Sequence, residues 1–99
     1  MQIEITDRAY LIIPAEMCTK YFPTDNLVAL PRAGELWLLP VSNKASGGLL
    51  MKRRNLKGDR SVLLIELVEE GCSGFYEAHW DETHGAVRVL GISNRSKNE

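Results

Sequence analysis

The sequence predicts a mainly β fold, a small meander or barrel-like sheet of several hairpins with one short helix near the N-terminus. Three observations lead there. Apolar runs rich in Val, Leu and Ile recur along the chain and are too short for helices. Polar segments closed by glycine separate them, at Gly34, Gly58, Gly74 and Gly85, and glycine supplies the left-handed backbone that hairpin turns need. These turn signals return about every ten to fifteen residues, the rhythm of a small all-β domain.

In chain order, Ile3 and Ile5 alternate with Gln2, Glu4 and Thr6, the period of a half-buried strand. Residues 10–13 form a second strand that stops at Pro14, which has no N–H to give a ladder. Residues 14–22 are the one helical stretch. Pro14 suits a first turn, Glu16 lies near the positive end of the dipole and Lys20 near the negative end. Met17, Cys18 and Tyr21 share an apolar face, and Pro23 stops the helix.

Four hairpins follow. The first joins 27–30 to 35–39 across Pro31-Arg32-Ala33-Gly34, with proline early in the turn. The second joins 49–51 to 61–68 across Asn55-Leu56-Lys57-Gly58, and the third joins 65–68 to Phe75 and Tyr76 across 71–74. The fourth joins 75–80 to 86–90 across 81–85, and Val62, Leu64, Val87 and Val89 are the expected buried positions. A linker-like segment, 42–48, divides a single domain (1–92) into two halves. The polar tail, 93–99, has nothing to bury and is expected to fray.

Composition narrows the function. With 99 residues, 44% hydrophobic and 25% charged, the chain has the balance of one ordinary globular domain. A formal net charge of −1 gives no global field toward nucleic acid or an anionic membrane. The alternating, acidic start does not read as a signal peptide, and the longest apolar run, 62–65, is too short to span a bilayer. Neither Cys18 nor Cys72 belongs to a Cys-x-x-Cys pair. A cytoplasmic chain with reduced thiols, no membrane association and no cofactor is expected.

Residues 8 to 40 present a strand ending in Ile13-Pro14, a short helix from Ala15-Glu16-Met17, an acidic turn Thr24-Asp25-Asn26, and apolar strands ending at Leu39-Pro40. This order resembles the AbrB/MraZ class of swapped-hairpin domains. The resemblance implies a homodimer in which two chains exchange hairpins, and in many relatives it implies DNA binding. The strand before Ile-Pro is basic and glycine-containing in those relatives. Here it reads Asp7-Arg8-Ala9-Tyr10-Leu11-Ile12, with one arginine and no glycine.

Two clusters carry candidate chemistry. Lys52, Arg53, Arg54, Lys57 and Arg60 place five cations beside one acid, Asp59, around a hairpin tip. Guanidinium and ammonium groups so gathered suit phosphates or an acidic partner surface; the plain alternative is a solvated tip that protects a sheet edge. His79, Asp81 and His84, with Glu82 and Cys72 near in sequence, hold atoms suited to zinc, but at no standard spacing. The alternative there is a polar turn capped by Asp81. Cys18 reads as a buried thiol and Cys72 as the more exposed and more oxidisable one. Trp37 and Trp80 are sheet-packing residues or interface anchors.

No Walker loop, dinucleotide fingerprint or nucleophile elbow occurs, so no enzymatic activity is expected. The leading reading is a non-catalytic interaction or assembly module, expected as a homodimer with an unidentified protein partner. A DNA-binding regulator of the swapped-hairpin type is the alternative, and a small metal-binding protein the third.

Overall fold

In the computed structural model, residues 1–32, 34–42 and 48–92 are described. They form β1 (Gln2–Ile5), β2 (Tyr10–Ile13), α1 (Ala15–Tyr21), β3 (Asn26–Arg32), β4 (Glu35–Pro40), β5 (Leu49–Leu50), β6 (Lys52–Arg53), β7 (Arg60–Leu63), β8 (Gly74–Asp81) and β9 (Ala86–Leu90). The fold is mainly β, as the sequence predicts. Every pairing is antiparallel, in the order β5-β3-β4-β9-β8-β1-β2-β7-β6. Only Met51 separates β5 from β6. The two ends of the sheet are therefore one bent strand, and the sheet curls into a nearly closed barrel.

The inward faces follow from strand alternation. Ile3 and Ile5 of β1, Leu11 and Ile13 of β2, Leu36 and Leu38 of β4, Ala78 of β8, and Val87 and Val89 of β9 are all buried. Val62 and Leu64 are buried as expected, although Leu64 lies just beyond the end of β7. By register, α1 crosses the mouth where β2 ends and β3, β7 and β9 begin. It buries Met17 and Cys18, and Tyr21 stacks on Trp80 with centroids 4.4 Å apart. Pro14 caps it, and Phe22, extended before Pro23, ends it. Among the described residues no helix is long and apolar enough to cross a membrane.

Three expectations need correction. Residues 65–68 are not a strand paired with 75–76: Leu67 and Val68 both donate to the Leu64 carbonyl, making a tight turn that closes the opposite mouth. β8 pairs instead with β1 and β9. Pro31 is not in the turn but in β3, opposite Leu36. It is tolerated there because β5 pairs only with Asn26 and Leu27, leaving β3 without a second neighbour at Pro31 among the described residues. Finally, Leu49 and Leu50 pair with β3 rather than β7, so the second hairpin consists of β6 and β7 alone.

The inner face of the β3–β4 hairpin needs no second chain to cover it. Leu27, Leu36 and Leu38 are buried within one chain, against β9 and the rest of the core. Its outer face keeps Val28 opposite Leu39 and Leu30 opposite Trp37, all partly exposed. Ala33, residues 43–47 of the expected linker, and the tail 93–99 lie outside the described residues.

Candidate docking site at the basic hairpin

The tip between β6 and β7 is built by two side chains. Asn55 Oδ1 accepts from the Gly58 and Asp59 amides at 3.1 and 3.2 Å, the Asx geometry that lets asparagine imitate a backbone turn. Arg54 N–H donates to the Asp59 carbonyl at 2.7 Å and closes the loop. Asn55 Nδ2 donates to Asp59 Oδ2 at 3.0 Å, while Asp59 Oδ1 accepts from Ala15 N–H at 2.7 Å and ties the tip to α1. The Asn55 amide, then the Ala15 N–H, hold the Asp59 carboxyl below its usual range, with Lys57 and Arg54 assisting. Gly58 has φ 104°, and a Cβ there would sit 3.4 Å from that of Ala15.

The five cations do not act alike. Arg53 turns its guanidinium inward to the loop, donating to the carbonyls of Asn55 and Leu56 at 3.0 Å each. Arg60 donates to the Thr24 carbonyl at 3.0 Å and pairs with Asp25 at 3.3 Å. Lys52, Arg54 and Lys57 stay exposed and form no ion pair among the described residues. At the apex Leu56 is 94% exposed, more than any other large apolar side chain described. A cleft of about 320 Å³ beside the tip is lined by Thr19, Asp25, Arg53, Lys57 and Arg60. The sequence places Asp25 and Asn55 in turns without giving either a role at this tip, and Thr19 is not singled out at all. The Asn-x-x-Gly-Asp spacing was the available signal for the turn, whereas nothing local marks Thr19 or Asp25.

The His79, Asp81 and His84 cluster resolves into a capped turn. Asp81 accepts from the His84 amide at 3.1 Å and pairs with His84 Nδ1 at 2.9 Å. His79 is exposed on β8, opposite Arg88. Among the described residues no group of three or more His, Cys, Asp or Glu side chains is placed to hold a metal ion. Asp81 is instead shared with Arg88, whose guanidinium also reaches Glu35 through Nε at 2.9 Å and Nη2 at 2.8 Å. Glu35 accepts the Trp37 indole N–H at 2.8 Å, and Arg32 and Arg88 lie over that ring at 4.9 and 5.2 Å. Glu35 and Arg88 are 53 residues apart, so only the Trp37–Arg88 register brings them together.

This network has a sign in pH. Arg88 first, then the Trp37 indole, hold Glu35 below the ordinary glutamate value of 4.5. His84 chiefly lowers Asp81, and Glu35 chiefly raises Arg88. A carboxylate depressed on folding stabilises above its unfolded pKa and loses that contribution as pH falls through the folded one. Glu35→Gln is therefore expected to lower the urea midpoint at pH 7, with the gap to wild type narrowing as pH drops below 4.5. Urea titrations at pH 7 and in acid check this; a gap that widens in acid would contradict it.

The cysteines are unpaired. Burial pushes the Cys18 thiol up despite Arg60 nearby, which leaves it mostly protonated at neutral pH. Cys72 is more exposed, as expected, yet partial burial also raises its thiol, which works against easy oxidation. The chain matches no protein-family model, and neither a curated protein nor a solved structure is significantly similar to it.

Proposed function

We propose that this chain is a non-catalytic interaction module that docks on an acidic partner protein through the β6–β7 tip. The observation that carries the reading is Leu56 at the apex, 94% exposed and flanked by Lys52, Arg54 and Lys57. An apolar side chain offered from among cations suits a protein surface with a small apolar pocket rimmed by carboxylates. The Asn55–Asp59 scaffold and its tie to Ala15 fix the tip before binding, which reduces the ordering entropy that association costs.

DNA binding is the second reading, favoured by the three exposed cations and by the resemblance of residues 8 to 40 to swapped-hairpin regulators. The two readings separate in one experiment. The protein is immobilised from its native host, its partner is identified, and the complex is titrated against Leu56→Ala and against a Lys52→Ala/Arg54→Ala/Lys57→Ala variant. Docking on protein predicts that Leu56→Ala alone weakens binding about tenfold or more, while the triple variant chiefly slows association. A duplex-DNA complex insensitive to Leu56→Ala, with a log–log salt slope of about −0.9 per phosphate contacted, would replace the first reading with the second. Both variants should fold normally, since exposed charges contribute little stability.

A further inference from the structure

Among the described residues the barrel has an open seam, and its chemistry describes what would close it. β7 pairs with β2 along its whole length but with β6 only at Arg60 and Ser61. Met51 causes the divergence. Its side chain is buried and its N–H donates to the Asp25 carbonyl at 2.6 Å, so the chain turns away and Leu49 and Leu50 join β3. Backbone groups alternate sides along an antiparallel strand. Leu64 N–H points toward β2, to the Ala9 carbonyl, so the amide and carbonyl of Leu63 face the seam. The Asp25 carbonyl faces β5, so on β3 the same alternation turns Ala29 and Pro31 toward the seam. Pro31 has no N–H to leave unpaired there.

Between these two edges runs a groove of about 590 Å³, lined by Leu27, Val28, Ala29, Leu49, Leu63 and Ile65 among others. Val28, Leu63 and Ile65 are 36%, 45% and 56% exposed, so an apolar occupant would remove large apolar side chains from water. Its charge is one-sided. Glu66 stands on the lip, and past Ile65 an adjoining hollow carries Asp7, Glu69 and Glu70 against Arg8. None of these four carboxylates is ion-paired among the described residues.

We infer that the seam binds an extended apolar segment of a partner protein, flanked on one side by Lys or Arg, which adds as a strand along β7. Main-chain hydrogen bonds to Leu63 give the segment its direction, alternate apolar side chains fill the groove, and the basic flank meets Glu66, Glu69 and Glu70. A second copy of this chain fits less well, because its own apolar run ahead of cations, Leu49-Leu50-Met51, is already engaged: Leu49 and Leu50 pair with β3 and Met51 is buried. The site is separate from the Leu56 tip, so either proposal stands or falls without the other.

The test uses the full chain and a fluorescein-labelled peptide of alternating valine and threonine ending in two lysines, followed by anisotropy. Binding at least fivefold tighter than that of the same peptide ending in two glutamates is expected. Ile65→Glu should abolish it, and Glu66→Lys/Glu69→Lys should reverse the charge preference, while Leu56→Ala leaves it unchanged. Slowed hydrogen exchange at the Leu63 amide on peptide addition would place the new strand. No binding at millimolar peptide, equal affinity for both peptides, or indifference to Ile65→Glu would overturn the inference. So would self-association of the free chain that Ile65→Glu abolishes, since the occupant would then be a second copy.

Discussion

Leu64→Ala is expected to lower stability by about 2–4 kcal/mol, because the site has little freedom to collapse around the lost atoms. Leu64 is 1% exposed, its N–H is bonded to Ala9, and its carbonyl accepts from both Leu67 and Val68. Those bonds hold the backbone on both sides of the side chain, so truncation leaves a cavity at the mouth of the barrel. Urea denaturation with an unchanged slope and a lowered midpoint would register it. Leu63→Ala, one residue earlier and 45% exposed, is the control and should move the midpoint far less. Equal effects would mean that the facing of this segment is reversed.

Gly48→Ala is expected to be nearly as damaging for a different reason. Gly48 has φ 103°, and a Cβ there would lie 2.6 Å from the Leu27 carbonyl oxygen, a backbone atom that cannot step aside. The left-handed conformation alone costs on the order of 1–3 kcal/mol for a residue with a side chain, and the clash adds to it by forcing β5 from β3. Gly34→Ala supplies the comparison, since its φ of 73° carries the conformational cost while nothing lies within 4 Å of the added atom. Thermal melts should rank Gly48→Ala well below Gly34→Ala; similar melting temperatures would show that the close approach to Leu27 is relieved easily.

The parts of the fold legible in the sequence are those that local chemistry decides. Gly58 and Gly85 mark the β6–β7 and β8–β9 turns, Pro14 and Pro23 bracket α1, and the valines of β9 declare its inward face. The run 65–68 misled because a short apolar stretch reads equally as a strand or as a lid. Here Val68 is buried while Ile65 stays exposed. The β1–β2 turn carried no signal at all: it has no glycine, and Ala9 takes φ 67° with Thr6 Oγ1 accepting from the Arg8 and Tyr10 amides. The candidate site was half legible. Composition announced the cations, but that Arg60 is occupied depends on its meeting Thr24 and Asp25, a contact that only the curled sheet creates.

The circuit of strands also governs how the chain reaches this state. β1 with β8, β2 with β7 and β4 with β9 are ladders between distant segments, so long loops must close before their hydrogen bonds can compensate. Such topologies fold in roughly milliseconds to seconds, whereas chains of local helical contacts take microseconds to milliseconds. The bent strand through Met51 needs both β3 and β7 already in place, since it pairs with one on each side of the bend. It is therefore expected to join late, so that weakening it should speed unfolding more than it slows folding.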